Sequence, residues 1–157
     1  MRPDDWEAVR FIYQQGIDTG QATFETAVPS WADWDISKRR DCRLIAQSEA
    51  QIVGWAALST TSRREVYAGV AEVSVYVLGE ARRRGIGKVL MQALIEASER
   101  AGIWTLQSSV FPENEVTIAL HRNVGFRIVG RRERVARHHG VWRDTIILER
   151  RSKIVGG

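Results

Sequence analysis

One cysteine, Cys42, is all that a chain of 157 residues contains, and that scarcity excludes an intrachain disulfide and any thiolate cluster around a metal. It fits a reducing compartment. Long apolar runs are also lacking: no stretch approaches the roughly 18 to 20 residues that a bilayer-spanning helix needs. The N-terminus, MRPDDWEAVR, has acidic residues where a secretion signal would be basic and then apolar, so a cytoplasmic location is expected. The three histidines, His121, His138 and His139, show no metal-ligand spacing, and no metal is expected. There is no repeat, no low-complexity tract and no linker. A hydrophobic content of 44% over 157 residues suits one compact domain spanning 1–157 with a substantial core.

What is present is basic. The net charge of +4 and pI near 9.7 are compatible with nucleic acid, anionic lipid or a polyphosphate-bearing cofactor, and charge alone does not choose among them. Apolar residues at Val9, Ile12, Tyr13 and Ile17 recur at helical spacing, with Asp4 or Asp5 as a cap and a stop near Gly20. A short helix is expected over 31–40 and a hairpin from 42–47 and 51–60. A strand over 71–78, a helix over 87–101 ending at Gly102, a strand over 104–110 and a helix over 115–124 follow. Two strands close the chain, around 126–137 and 141–150. Strands alternating with helices before a closing hairpin predict an α/β fold, a mixed sheet with helices on both faces.

The stretch AEVSVYVLGEARRRGIGKVLMQ, residues 71–92, concentrates the chemistry. Alternation along the strand points Val73, Val75 and Val77 one way and Glu72, Ser74 and Tyr76 the other, so one face is expected to be core and the other functional. After it, Gly85 and Gly87 let the backbone approach a ligand closely, and the first free N–H groups of the next helix face that turn. Those donors, the helix dipole and the arginines at 82–84 favour a phosphate. A P-loop is excluded because Val89 follows Gly87-Lys88, and a dinucleotide fingerprint is excluded because Leu90 occupies its third glycine position.

Arg82-x-x-Gly85-x-Gly87 between a Val-x-Val strand and an amphipathic helix resembles the acetyl-CoA pyrophosphate motif of the GCN5-related N-acetyltransferases (GNAT). PENEVTIALHRNVGF (112–126) resembles a later motif of that superfamily. TGQATFE (19–25), AEVSVYV (71–77), ALHRNVGF (119–126) and HHGVWRD (138–144) resemble, in the family's order, its phosphinothricin and methionine sulfoximine acetyltransferase branch. The resemblance spans about residues 3 to 148. It implies a GNAT fold whose central strands splay to form the acetyl-CoA cleft. It further implies transfer of acetyl from acetyl-CoA to a small amine or amino acid, and a homodimer without nucleic-acid or membrane partners. A protein or peptide N-acetyltransferase and a non-catalytic basic domain binding nucleic acid are the alternatives.

Site roles follow position by position. Val75, Tyr76 and Val77 would offer backbone groups to the pantetheine arm, and a backbone N–H there could stabilise the oxyanion. Arg83, Arg84, Gly85, Ile86, Gly87 and Lys88 would hold the pyrophosphate. Asn114 fits either a cofactor contact or a helix cap. Glu72 matches the acidic residue of the family's strand and is the candidate base, with an exposed strand glutamate as its alternative. His139 is a second candidate base or a surface residue. His121 stands where many superfamily members have a tyrosine acid, and it can equally be packing. Thr23, Phe24 and Glu25 would line the acceptor pocket together with Tyr67. Many relatives carry an aromatic-arginine pair before the catalytic strand, but here it reads Tyr67-Ala68. Arg64, with Arg63 beside it, is expected to reach the acceptor carboxylate instead.

Overall fold

The structure, a computed structural model, describes residues 1–157. A single 3-10 turn at Pro3–Asp5 leads into helix α1, Trp6–Asp18. Helix α2, Trp31–Ser37, starts where the Ser30 hydroxyl accepts from the Asp33 backbone N–H at 3.2 Å, satisfying one free donor of the first turn. The strands are β1 (Arg43–Ser48), β2 (Gln51–Thr60), β3 (Val70–Val77), β4 (Thr105–Val110), β5 (Arg127–His138) and β6 (Val141–Arg151). Helix α3, Ile86–Arg100, follows β3, and α4, Glu115–Asn123, follows β4. They form one sheet in the order β1-β2-β3-β4-β6-β5. Only the β3–β4 pair is parallel, as a strand–helix–strand crossover requires.

Helices cover both faces, and each face has its own core. Under α3 and α4, Leu58, Val73, Leu90, Met91, Leu94, Leu106, Phe126 and Leu148 are buried together. Under α1 and α2 the buried group is Val9, Ile12, Tyr13, Trp34, Trp55 and Leu78. The second core is aromatic: Trp55 stacks on Tyr76 at 4.9 Å and meets Tyr13 and Trp34 edge-on at 5.5 and 5.6 Å. Helix α1 reaches this depth because Gly16 faces the Tyr76 ring, where a Cβ would stand 2.6 Å from ring carbons. The expectation of one core face and one functional face on β3 is therefore refined. Tyr76 packs against the second core while also lining the cavity to which Glu72 and Ser74 carry their polar groups.

The parallel pairing of β3 with β4 is short. It holds at Val70–Thr105, Ala71–Leu106 and Glu72–Gln107 and then stops, although β3 continues to Val77 against β2. Past Glu72 the two central strands diverge, so one edge of β3 has backbone groups without a strand partner inside the sheet.

Candidate active site

The divergence opens a cavity of about 340 Å³. Val73, Ser74, Val75 and Tyr76 of β3 form one wall and Ser108, Ser109, Val110 and Phe111 the other. Glu72, Lys38, Ser59, Tyr13, Thr23, Phe24 and Glu25 line one end, and Asn114, Thr117, His121 and Thr145 complete the enclosure. Strand register explains the polar wall. Ser59 pairs with Glu72 and Ala57 with Ser74 across β2 and β3, so one sheet face presents a carboxylate and two hydroxyls beside the aromatic core.

Lys38 enters this face from the C-terminal end of α2. Its extended backbone carries the chain out of the helix, and Arg43 of β1 donates to the Lys38 carbonyl, to the Asp35 carbonyl and to the Asp35 carboxylate. The Lys38 ammonium donates to Ser59 Oγ at 2.9 Å and Ser74 Oγ at 3.0 Å. Burial pulls its pKa down, opposed by the negative charges of Glu72 and Glu25. No signal in the sequence singled Lys38 out.

The segment holding Thr23, Phe24 and Glu25 is clasped from two elements. Asn114 Nδ2 donates to the Gln21 carbonyl at 3.2 Å, while its Oδ1 accepts from the Thr117 N–H at 3.3 Å and caps α4. Asn114 thus has the capping role and also faces the cavity. Arg143 of β6 donates to the Gly20 carbonyl at 3.3 Å and to Gln21 Oε1 at 2.9 Å, with its guanidinium 3.9 Å from the centre of the Phe111 ring. Phe24 then meets Phe111 edge-on at 4.8 Å. The sequence showed Arg143 only as part of the HHGVWRD block, without a role.

The histidines differ sharply. His121 is buried at 1% exposure, and its Nδ1 lies 2.8 Å from the Thr117 carbonyl. That carbonyl can only accept, so the ring proton sits on Nδ1 and Nε2 is a bare acceptor with no partner. Burial lowers its pKa, which keeps the ring neutral. In that tautomer Nε2 carries no proton, and the ring packs edge-on against Phe126. His139 is exposed, in left-handed conformation (φ 49°) at the β5–β6 turn, and does not line the cavity that holds Glu72. Its neighbour His138 is buried between Phe24 and Phe111, and burial first, then the charges of His139 and Arg143, lower its pKa.

The expected carboxylate reader is elsewhere. Arg64 and Tyr67 are exposed in the segment between β2 and β3 and lean on each other, guanidinium to ring centre 5.5 Å; neither lines the cavity. The turn before α3 is more telling. Arg83 and Gly85 both have positive φ, 64° and 79°, and Gly85 is the residue from which α3 starts. Arg83, Arg84 and Lys88 are exposed around that helix start, where free N–H groups emerge. Ile86 packs inward against the core. At Gly87 a Cβ would meet Leu120 of α4 at 3.2 Å, so this glycine also permits close helix packing.

Residues 6–126 match the model of the acetyltransferase (GNAT) family. The L-methionine sulfoximine/L-methionine sulfone acetyltransferase of Pseudomonas aeruginosa is 30% identical over 153 residues, covering 92% of this chain and 88% of that protein. Among solved structures, the ribosomal-protein-alanine N-acetyltransferase from Brucella melitensis has a TM-score of 0.90 at 28% identity, with 97% of each chain covered. A GNAT superfamily phosphinothricin acetyltransferase from Sinorhizobium meliloti, solved in complex with AcCoA, has a TM-score of 0.87 at 27% identity and covers 100% of this chain and 91% of that one.

Proposed function

Because the chain belongs to the acetyltransferase (GNAT) family, we propose that it moves acetyl from acetyl-CoA to the amino group of a small amino-acid-like acceptor. The phosphinothricin, methionine sulfoximine and methionine sulfone types are the candidates, by similarity to the relatives above. The observation that carries this reading is the cavity between the splayed β3 and β4, with Glu72 and Glu25 at one end and unpaired strand backbone along its wall.

Acetyl-CoA supplies an activated thioester. The residues suited to it are the backbone of Val75, Tyr76 and Val77, the turn from Arg83 to Lys88, and Asn114. The left-handed turn and its cations match a pyrophosphate, and the unpaired edge of β3 matches an amide-bearing arm. Glu72 accepts the proton that an α-ammonium must lose before its nitrogen can attack. As the amine nitrogen bonds to the acetyl carbon, the carbon–sulfur bond breaks and sulfur leaves as thiolate. With a thiol pKa of about 8.5 that leaving group needs no dedicated acid, consistent with the neutral, Nδ1-protonated His121. Thr23, Phe24 and Glu25 shape the acceptor end, and Asn114 and Arg143 hold that segment in place.

A protein N-terminus is the second reading, favoured by the likeness to the Brucella melitensis enzyme. We read the whole chain as one cytoplasmic domain that forms a homodimer, and the exposed apolar side chains Ile128, Val129, Val141 and Trp142 on the outer β5–β6 hairpin support the homodimer. The deciding experiment is thermal shift with acetyl-CoA followed by thiol release across free amino acids and alanine- or lysine-bearing peptides. A melting rise with acetyl-CoA and turnover of a sulfone, sulfoximine or phosphinate amino acid is expected. Turnover of peptides alone would hand the site to the second reading, and salt-sensitive DNA binding with no response to acetyl-CoA would remove the enzyme reading.

A further inference from the structure

Lys38 is the only lysine or arginine lining the cavity, and it shares the acceptor end with two carboxylates, Glu72 and Glu25. Its ammonium is held by two neutral hydroxyls, Ser59 and Ser74, and is ion-paired with no carboxylate. An ammonium half-buried in this way has given up part of its hydration, and Glu72 and Glu25 act on it as nearby charges without a direct ion pair, so a ligand's carboxylate can still reach it. Ser59 and Ser74 occupy two of its three N–H donors and leave the third for a ligand. Meanwhile Arg64, the arginine nearest in sequence to the missing one, is spent on the exposed Tyr67 ring outside the cavity.

Taking the small-acceptor reading above as its basis, we propose that Lys38 is the specificity-determining residue that binds the acceptor's carboxylate. The acceptor is thereby restricted to zwitterions, its ammonium set toward Glu72 and Glu25 and its carboxylate toward Lys38. Two carboxylates and one cation complement an α-amino acid's two charges and leave a negative bias that draws the ammonium end to Glu72. The geometry around Lys38 is built to keep it in place. Arg43 holds the carbonyl of Lys38 itself, the Arg39 N–H donates to the Leu58 carbonyl at 2.8 Å, and the two serines fix the head of the side chain. A lysine at the end of a short helix, where the chain re-enters the sheet, can therefore act as a fixed charge and not as a mobile surface cation.

The test compares Lys38→Met with the unaltered protein on two acceptors: methionine sulfone and the amine left by removing its carboxylate, 3-(methylsulfonyl)propylamine. Lys38→Met should raise KM for methionine sulfone by about one to two decades, the range expected from losing a charge-assisted hydrogen bond. KM for the decarboxylated amine should stay the same or fall, and the acetyl-CoA-induced melting shift should be unchanged. Lys38→Arg should recover part of the lost affinity, and Arg64→Ala should leave the ratio between the two acceptors untouched. Equal losses on both acceptors, or none on methionine sulfone, would overturn the assignment. If the unaltered protein acetylates only the amine, or only peptides, the small amino-acid reading itself has failed, and that outcome is read before any variant is made. Should Lys38→Met fold poorly, Lys38→Gln keeps a polar head for Ser59 and Ser74 while removing the charge and should weaken methionine sulfone selectively; an unchanged ratio there counts equally against the proposal.

Discussion

At the scale of single residues, Glu72 and His121 show how far a side chain's role can be read from its type. A glutamate on the polar face of a strand is a sensible base, and the cavity brings Glu72 together with Glu25 and Lys38. Glu72→Gln keeps the shape and removes the proton acceptor, so kcat should fall by about 10² to 10⁴ with acetyl-CoA affinity little changed. Steady-state kinetics beside calorimetric titration would check this, and an active variant with an unaltered pH profile would pass the role to water. His121 was equally legible as a titratable residue, but its tautomer depends on the Thr117 carbonyl four residues earlier on α4. Lys38 was illegible for a different reason: lysines near helix ends are ordinarily solvated, and only the approach of α2 to β2 and β3 turns this one inward.

At the scale of elements, the turn between β3 and α3 is legible in the sequence as a junction, because glycine spacing and helix periodicity are local signals. Arg84→Gln combined with Lys88→Gln alters only exposed side chains, so the melting temperature should hold. Acetyl-CoA affinity should fall by about tenfold and lose much of its salt dependence, since screened charge–phosphate attraction is what the substitutions delete. Calorimetry at two ionic strengths measures both. Gly87 is the less clean probe of the same turn. Its neighbour Leu120 lies 3.2 Å from where a Cβ would stand, so Gly87→Val disturbs the packing of α3 on α4 before it says anything about a ligand. Neither helix periodicity nor the motif spacing carries that contact, because it depends on how two helices separated by a strand come to cross.

At the scale of the whole molecule, pH reports on the buried histidines. Burial lowers the folded-state pKa of His121 and of His138 below the ordinary value of about 6.5. Above that value both folded and unfolded chains are neutral at these rings, and the full stability is present. As pH falls through it, the unfolded chain binds protons that the folded one resists, and stability declines until the folded-state pKa values are reached. Asp35, Asp41 and Asp144, each held low by hydrogen bonds, to Arg43 and Arg40, to Arg39, and to the Arg134 N–H and Arg131 respectively, lose their contribution only as pH falls below about 4. Melting followed by tryptophan fluorescence should therefore fall as pH drops below about 6.5. A folded His121→Asn variant should show a shallower slope in that window, and identical slopes would assign the loss to other groups.

Residue pattern alone determined the element order, the mixed sheet, the strand that carries Glu72 and the glycine turn ahead of α3, because alternation, helical period and glycine punctuation are short-range properties of the chain. The tertiary structure decided what those elements do to one another. It fixed where the β3–β4 pairing stops, at Glu72–Gln107, although β4 goes on pairing with β6 to Val110. It gave Tyr76 to an aromatic core through Gly16 of a distant helix, and it removed Arg64, Tyr67 and His139 from the cavity while admitting Lys38. Each of these outcomes joins residues tens of positions apart, and a charge's environment is set by what folds against it, not by the residues beside it in sequence.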